Sequence, residues 1–253
     1  MFKHQPRTIP NKSKSIYFSS THITKLRDLI FIGLIGTALL FLMTTPVNSF
    51  AQEGPRRFKL LNTEELTPEQ AKLSESIKSG PRSSTGSTST AANQPLGSPF
   101  NVWLRSPAMG DIIQKLGSQI RFNSSLPPRL NEFAILITAQ HWSSKYEWFA
   151  HYRLALKGGL NPAIADQLLT NKRPEGMSLD EAAVYDFSTE LRNTHFVSDA
   201  VYQRALDLFG ERGVVDLIAV NGYYDLVSMT LNVDRTPVPS EPVPPNPSNS
   251  QKR

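Results

Sequence analysis

Apolar residues recur on a helical period through most of the stretch 100–234, and helix punctuation brackets each segment. Ser106-Pro107 opens a helix predicted to reach about Phe122. Pro127-Pro128 opens a second that ends near His141. A third covers about Ser144 to Lys157, and Gly158-Gly159 supplies its left-handed stop. Asn161-Pro162 begins a short helix ending near Thr170. Ser178-Leu-Asp-Glu181 is a capping box opening a helix to about Asn193. Ser198 caps a helix that ends at Gly210, and the last helix runs from about Glu211 to Asn232. Ile135, Leu136 and Ala139, with Leu217, Ile218, Leu226, Met229 and Leu231, fall on the expected core faces. No segment alternates polar and apolar between turn residues, so no strand is predicted. The fold class is all-α, a compact helical bundle.

The flanks have a different texture. Thr67-Pro68-Glu69-Gln70 caps a helix that should run to about Lys78, where Gly80 and Pro81 stop it. Residues 79–99, SGPRSSTGSTSTAANQPLGSP, are too small and polar to bury a face and read as a flexible linker. From Thr236 to Arg253 prolines recur, which predicts an extended, unpacked tail. At the other end, a basic stretch leads into Leu29–Met43, fifteen residues that fall short of the roughly 20 needed to span a bilayer. Ser49-Phe50-Ala51 then forms a small-x-small cleavage site. The expected organisation is a signal peptide at 1–51, an N-terminal helix and linker at 52–99, the helical domain at 100–234 and a Pro-rich tail at 235–253. The expected location is periplasmic or secreted, with membrane attachment only through the N-terminal segment where it stays uncleaved.

Charge and composition narrow the function. Of 27 Lys and Arg and 22 Asp and Glu, six bases but a single acid, Asp28, lie in 1–51, leaving 21 of each in the remainder. The folded part thus has no bulk positive field, and nucleic acid is not an expected partner. The chain has no cysteine, which excludes disulfides, thiolate catalysis and cysteine-bound metals. Only His141, His151 and His195 follow residue 51, and none forms a His-x-x-x-His pair, so no metal site is expected.

The polar exceptions on apolar helices are the candidate chemistry. Glu132 sits beside Phe133 and four residues before Leu136. Glu147 and His151 are four apart on the next helix and share a face, which Ser144 joins. A carboxylate within reach of an imidazole favours its charged form and fixes its orientation. A second carboxylate nearby is held partly protonated by like-charge repulsion. Such a set moves protons without a metal. The same spacing also serves a plain helical ion pair. Trp142, Tyr146, Trp148 and Phe149 are candidates to line a pocket or simply to pack.

The stretch Leu130–His141, followed by Tyr146-Glu-Trp-Phe-Ala-His151 and Leu156-Lys-Gly-Gly-Leu160, resembles the carboxymuconolactone decarboxylase family, which also contains the alkylhydroperoxidase D-like proteins. Ser98–Trp103 and Ser106–Met109 upstream, and Asn221–Thr230 downstream, belong to the same resemblance, which covers roughly 98–234. It implies an alkylhydroperoxidase D-like helical bundle that assembles into homo-oligomers, commonly trimers or hexamers. The peroxidase branch uses a glutamate, a Cys-x-x-Cys pair and a histidine. Here Glu132 and His151 fall on the glutamate and histidine positions, while Ser144 and Glu147 stand where the cysteines would be. A serine hydroxyl cannot form a redox disulfide, so thiol peroxidase activity is disfavoured.

The decarboxylase branch has no such requirement, and its Glu-x-x-x-His pattern is kept as Glu147 and His151, preceded by Tyr146. The resemblance implies a cofactor-independent lyase or isomerase acting on a small oxygenated acid or lactone, close to a 4-carboxymuconolactone decarboxylase. Loss of CO2 leaves a dienolate that needs a proton donor and a pocket that stabilises its charge. His151 is the expected acid/base, oriented by Glu147, with Glu132 orienting or relaying from the adjacent helix. Ser144, Tyr146 and Trp142 are expected to contact substrate. The alternative is a non-catalytic oligomeric binding or structural homologue, in which these groups pair with one another beside no cavity.

Overall fold

The computed structural model describes residues 54–85 and 96–239. The expected signal peptide and its Ser49-Phe50-Ala51 site lie outside the described residues, as do 86–95 of the expected linker and the chain from 240 onward. Among the described residues eight α-helices follow one another: α1 (Pro68–Ser79), α2 (Phe100–Trp103), α3 (Pro107–Phe122), α4 (Pro128–His141), α5 (Lys145–Lys157), α6 (Pro162–Gln167), α7 (Leu179–Thr194) and α8 (Asp199–Asp234). There is no strand among the described residues. None of the described helices is long and apolar enough to cross a membrane.

The helix boundaries follow the predicted punctuation. At α1 the Thr67 hydroxyl accepts the Gln70 N–H at 3.3 Å, and Gln70 Oε1 accepts the Thr67 N–H at 2.9 Å. The same reciprocal box joins Ser178 and Glu181 at the start of α7. Inside α8, Gly210 breaks the helical path with φ 65° and ψ 175°, a conformation that costs a Cβ-bearing residue far more than glycine. The break falls where the sequence separates two helices, so α8 consists of two helices that meet at a kink at Gly210.

Helix α4 is the centre of the bundle, packing against α5, α7 and α8. Phe133, Ala134, Ile135, Leu136 and Ala139 are fully buried along it. A helix covered on nearly all sides is apolar nearly all round, which is what its sequence shows. Each large side chain buried there contributes about 1.5–3 kcal/mol relative to exposure. Leu217 and Leu231 of α8 complete this core, but Ile218 and Met229 do not: they are 50% and 40% exposed. They lie on the opposite side of α8 from the buried stripe, so helical period alone had mixed two faces of one apolar helix.

The flanks are less detached than their composition implies. Residues 81–85 form a short 3-10 turn, and Arg82 within it is buried. Leu96 and Ser98, at the far end of the stretch expected to be a linker, are buried as well. Thr236, the first residue of the expected tail, is buried and bonds Asp234 Oδ2 at 2.6 Å. The segment before α1 is clamped to the end of α8. Arg57 N–H donates to the Asp234 carbonyl at 2.9 Å and Phe58 N–H to its Oδ1 at 3.0 Å. Arg56 reaches Asp234 Oδ2 at 3.4 Å and Ser98 Oγ at 2.8 Å. Backbone pairing with fixed partners holds this polar stretch in place where side-chain burial does not.

Candidate active site

The site is built across the α4–α5 seam. Glu132 stands in the second turn of α4, facing α5. Glu147 and His151 lie one turn apart on α5, on the face turned into the bundle. His151 Nδ1 is 2.6 Å from Glu132 Oε2, and Nε2 is 3.4 Å from Glu147 Oε2. The three side chains therefore converge. Of the two contacts, the one with Glu132 is a hydrogen bond. Glu147 Oε2 approaches the ring without hydrogen-bond alignment and has no hydrogen-bond partner among the described residues. The carboxylate that orients the imidazole is thus Glu132 from the adjacent helix, rather than Glu147 as the i, i+4 spacing suggests. The ring is also held edge-on to Tyr224, with centroids 5.0 Å apart.

His151 and Glu147 face a cavity of about 460 Å³. Tyr146 lines it, as do Phe100 and Trp103 of α2, Arg121 of α3, and Tyr223 and Tyr224 of α8, with Arg82 reaching in from the 3-10 turn. Glu132 is not among the lining residues, so it supports His151 from behind. Burial pushes the Glu147 carboxyl above its usual range, against the pull of His151, Arg121 and Arg82. Burial likewise pushes Tyr223 up to about 12 and holds Tyr146 and Tyr224 above the ordinary phenol value. The tyrosines remain O–H donors at neutral pH. With Glu132 accepting the Nδ1 hydrogen, Nε2 is the imidazole atom on the cavity side. Glu147 adds a carboxyl oxygen that accepts no hydrogen bond among the described residues. Together they can take a proton from, or give one to, a molecule in the cavity.

Two of the expected substrate contacts sit elsewhere. Trp142 Nε1–H donates to Asp225 Oδ1 at 2.7 Å, within a polar cluster that includes Arg192, and the ring does not line the cavity. Ser144 is fully buried, its hydroxyl without a hydrogen-bond partner among the described residues, and it too is absent from the cavity wall. Several lining residues were not singled out as site residues in the sequence, among them Arg82, Arg121, Arg153, Tyr223 and Tyr224. Arg82 lies in a stretch whose composition suggests no structure, and Arg121 looks like any cation at a helix C-terminus. The tyrosines carried a signal, since they fall inside the Asn221–Thr230 block that resembles the family. Among the described residues no group of three or more His, Asp or Glu is arranged to hold a metal ion.

No described protein family and no curated protein matches the chain. Among solved structures it is similar to an alkylhydroperoxidase AhpD core, an uncharacterized peroxidase-related protein from Ralstonia eutropha JMP134. The TM-score is 0.58 at 14% identity, over 75% of this chain and 95% of that one. At that identity the likeness concerns the path of the backbone: the protein has the all-α architecture of the AhpD core.

Proposed function

We propose that the protein is an exported, carboxymuconolactone decarboxylase-like enzyme, a cofactor-independent lyase or isomerase that moves a proton on a small oxygenated acid or lactone. The observation that carries this reading is the buried Glu147 oxygen that accepts no hydrogen bond among the described residues, beside an imidazole that Glu132 orients, on the wall of a cavity. A buried carboxyl left without a partner costs stability, and a fold keeps such a group most readily where a ligand supplies the missing bond. In a decarboxylation the C–C bond to the carboxylate breaks, CO2 leaves, and the electron pair delocalises into the unsaturated ring. His151, or Glu147 in its protonated form, then delivers a proton to the carbon that carries that pair. The tyrosine hydroxyls around the cavity are suited to stabilise the enolate oxygen. Thiol peroxidase chemistry stays outside this reading, because the chain has no cysteine.

The test is turnover of 4-carboxymuconolactone in deuterated water, read as CO2 release and deuterium incorporation by mass spectrometry. Wild-type protein should give both, and His151→Ala should give neither while melting as the wild type does. A His151→Ala variant with wild-type turnover and unchanged stability would sink the assignment in favour of a binding or structural role.

Self-association and export complete the proposal. Val215, Ile218, Gly222, Leu226, Met229 and Val233 of α8 follow one another at three- and four-residue steps. Val215, Ile218, Met229 and Val233 are between 40% and 62% exposed. A seam at that spacing is suited to packing against the same seam of a second copy. Export rests on the N-terminal segment alone, and N-terminal sequencing of protein from its native host should find Gln52.

A further inference from the structure

A second cavity, of about 310 Å³, opens between the C-terminal turn of α4, residues 168–171 and α7. It shares no lining residue with the candidate active site. Its volume is at the lower end of the range for small-molecule sites and suits a ligand the size of one sugar ring.

The wall is built of groups that hydrogen-bond without carrying charge. His141, Ser143, Tyr185, Thr189 and Asn193 line it, and none of these side chains makes a hydrogen bond among the described residues. Gln140 Nε2–H donates to Asn171 Oδ1, which fixes both amides and leaves Gln140 Oε1 as an acceptor and the Asn171 amide as a donor. Desolvation and the Arg192 charge hold the His141 imidazole below its ordinary value. At neutral pH one of its ring nitrogens therefore donates and the other accepts.

The one charged residue in the wall, Arg192, already has its partners. Its terminal nitrogens donate to Thr138 Oγ1 on α4, the Ser188 carbonyl on α7, and Asn221 Oδ1 and Asp225 Oδ1 on α8. Its side chain is 6% exposed, and Asp225, at 3.4 Å, balances its charge from outside the lining. Three helices thus hold this part of the wall in place through a closed polar network. With Arg192 paired, an anion gains little here, and with no carboxylate in the wall a cation finds no counter-charge. What remains are hydroxyls, amides and an imidazole, which donate and accept alike. The hydroxyls of a neutral polyol do the same. Ile137 and Leu168 add apolar surface, and Tyr185 adds an aromatic ring. Arg173 stacks over that ring at 5.9 Å without lining the cavity. Such surface beside polar groups matches the C–H face and the hydroxyl edge of a sugar ring.

We infer that this second cavity is a binding site for a small uncharged polyol, a single sugar ring being the fitting size. The inference stands apart from the proton-transfer reading, since no residue of that chemistry lines the cavity.

The experiment is saturation-transfer NMR on the full chain with D-glucose, D-galactose and myo-inositol. Wild-type protein should bind at least one of the three with a Kd of about 1 mM or tighter. Tyr185→Phe combined with Thr189→Val removes two hydroxyls at nearly constant shape and should weaken that ligand by about ten-fold or more. Asn193→Ala, at an exposed position, should weaken it in the same direction should the double substitution disturb folding. His151→Ala, in the other cavity, should bind it as wild type does. Binding of none of the three probes by wild-type protein overturns the inference. So does binding that the double variant and Asn193→Ala both keep, or that His151→Ala loses, since either result puts the ligand elsewhere. Displacement by sulfate at matched concentration would make the cavity an anion site and overturn the inference equally.

Discussion

Glu132 Oε2 on α4 and His151 Nδ1 on α5 stand 2.6 Å apart, joining two helices that pack along their length. The pair fixes which imidazole nitrogen faces the cavity, and so which atom can exchange a proton. Glu132→Gln keeps an acceptor oxygen at this position but removes the carboxylate charge beside the ring. Turnover should fall by about 10²–10⁴-fold, the range associated with general acid–base catalysis. The loss should appear in kcat with KM nearly unchanged, because Glu132 does not line the cavity. A steady-state comparison with Glu132→Asp checks this: the shorter carboxylate should recover part of kcat. A purely structural Glu132 would instead lower the melting temperature and leave kcat per folded molecule intact.

Glu147 gives the molecule a pH signature. Its folded-state pKa is raised above the reference value of 4.5, chiefly by burial. Between the unfolded and folded values the native state holds a proton that the unfolded state has lost. This group's contribution therefore diminishes as pH rises through that window and is fully present below it. Glu147→Gln cannot ionise and escapes the loss. The melting temperature of Glu147→Gln relative to wild type should thus grow more positive from pH 4 to pH 8. Scanning calorimetry across that range checks the sign, and a difference that shrinks as pH rises would contradict the burial argument.

The bundle was legible because its information is local. Prolines at first helical positions, the Thr67 and Ser178 capping boxes and Gly210 each act within one turn of where they stand, and helix boundaries fell within a residue or two. Glu147 and His151 were legible for the same reason, being one turn apart on one helix. What a single helix cannot reveal is which of two carboxylates the imidazole chooses, since that depends on how α4 meets α5. Arg82 was hidden more deeply. Its neighbours are small and polar, and its burial comes from the rings of Phe100 and Tyr223 and the gap left by Gly117, all distant in sequence. Ile218 and Met229 failed in the opposite sense. Their apolar character was plain, but hydrophobicity does not say whether a face is covered by the same chain.

That exposed face is itself testable. Ile218 is 50% exposed in the middle of the α8 seam, so a charge there costs an isolated monomer little. In an interface of like seams the same charge would be buried unpaired, at a cost that dissociates the assembly. Ile218→Glu should fold normally and give a monomeric mass at micromolar concentration, where wild-type protein gives a multiple of it. Light scattering coupled to size exclusion reads both. Wild-type protein that elutes as a monomer would leave the seam without the proposed partner.

Asp234 holds the segment that precedes α1 against the end of α8. Its carboxylate is fully buried and meets Arg56 at 3.4 Å, the Phe58 N–H at 3.0 Å and the Thr236 hydroxyl at 2.6 Å. Asp234→Ala removes the acceptor of one cation and three donors, the third being the Ser98 hydroxyl at 3.5 Å. Breaking a buried pair on one side costs about 3–5 kcal/mol. The lower end of that range applies, because the Arg56 side chain is 17% exposed and water recovers part of its loss. Asp234→Asn retains one acceptor oxygen and should lose less. The clamped segment carries Arg56, Arg57 and Lys59, so trypsin provides a local reading beside the denaturant melt. In Asp234→Ala, cleavage there should accelerate by more than global unfolding explains, while sites within α4 and α5 stay protected. The anchor connects to the active site through Ser98, which bonds Arg56 and also lines the cavity. Loosening it should therefore weaken binding of a carboxylate in the cavity even where the bundle remains folded. A melt within about 1 kcal/mol of wild type, below what loss of such a network entails, would show that the segment is held by other contacts.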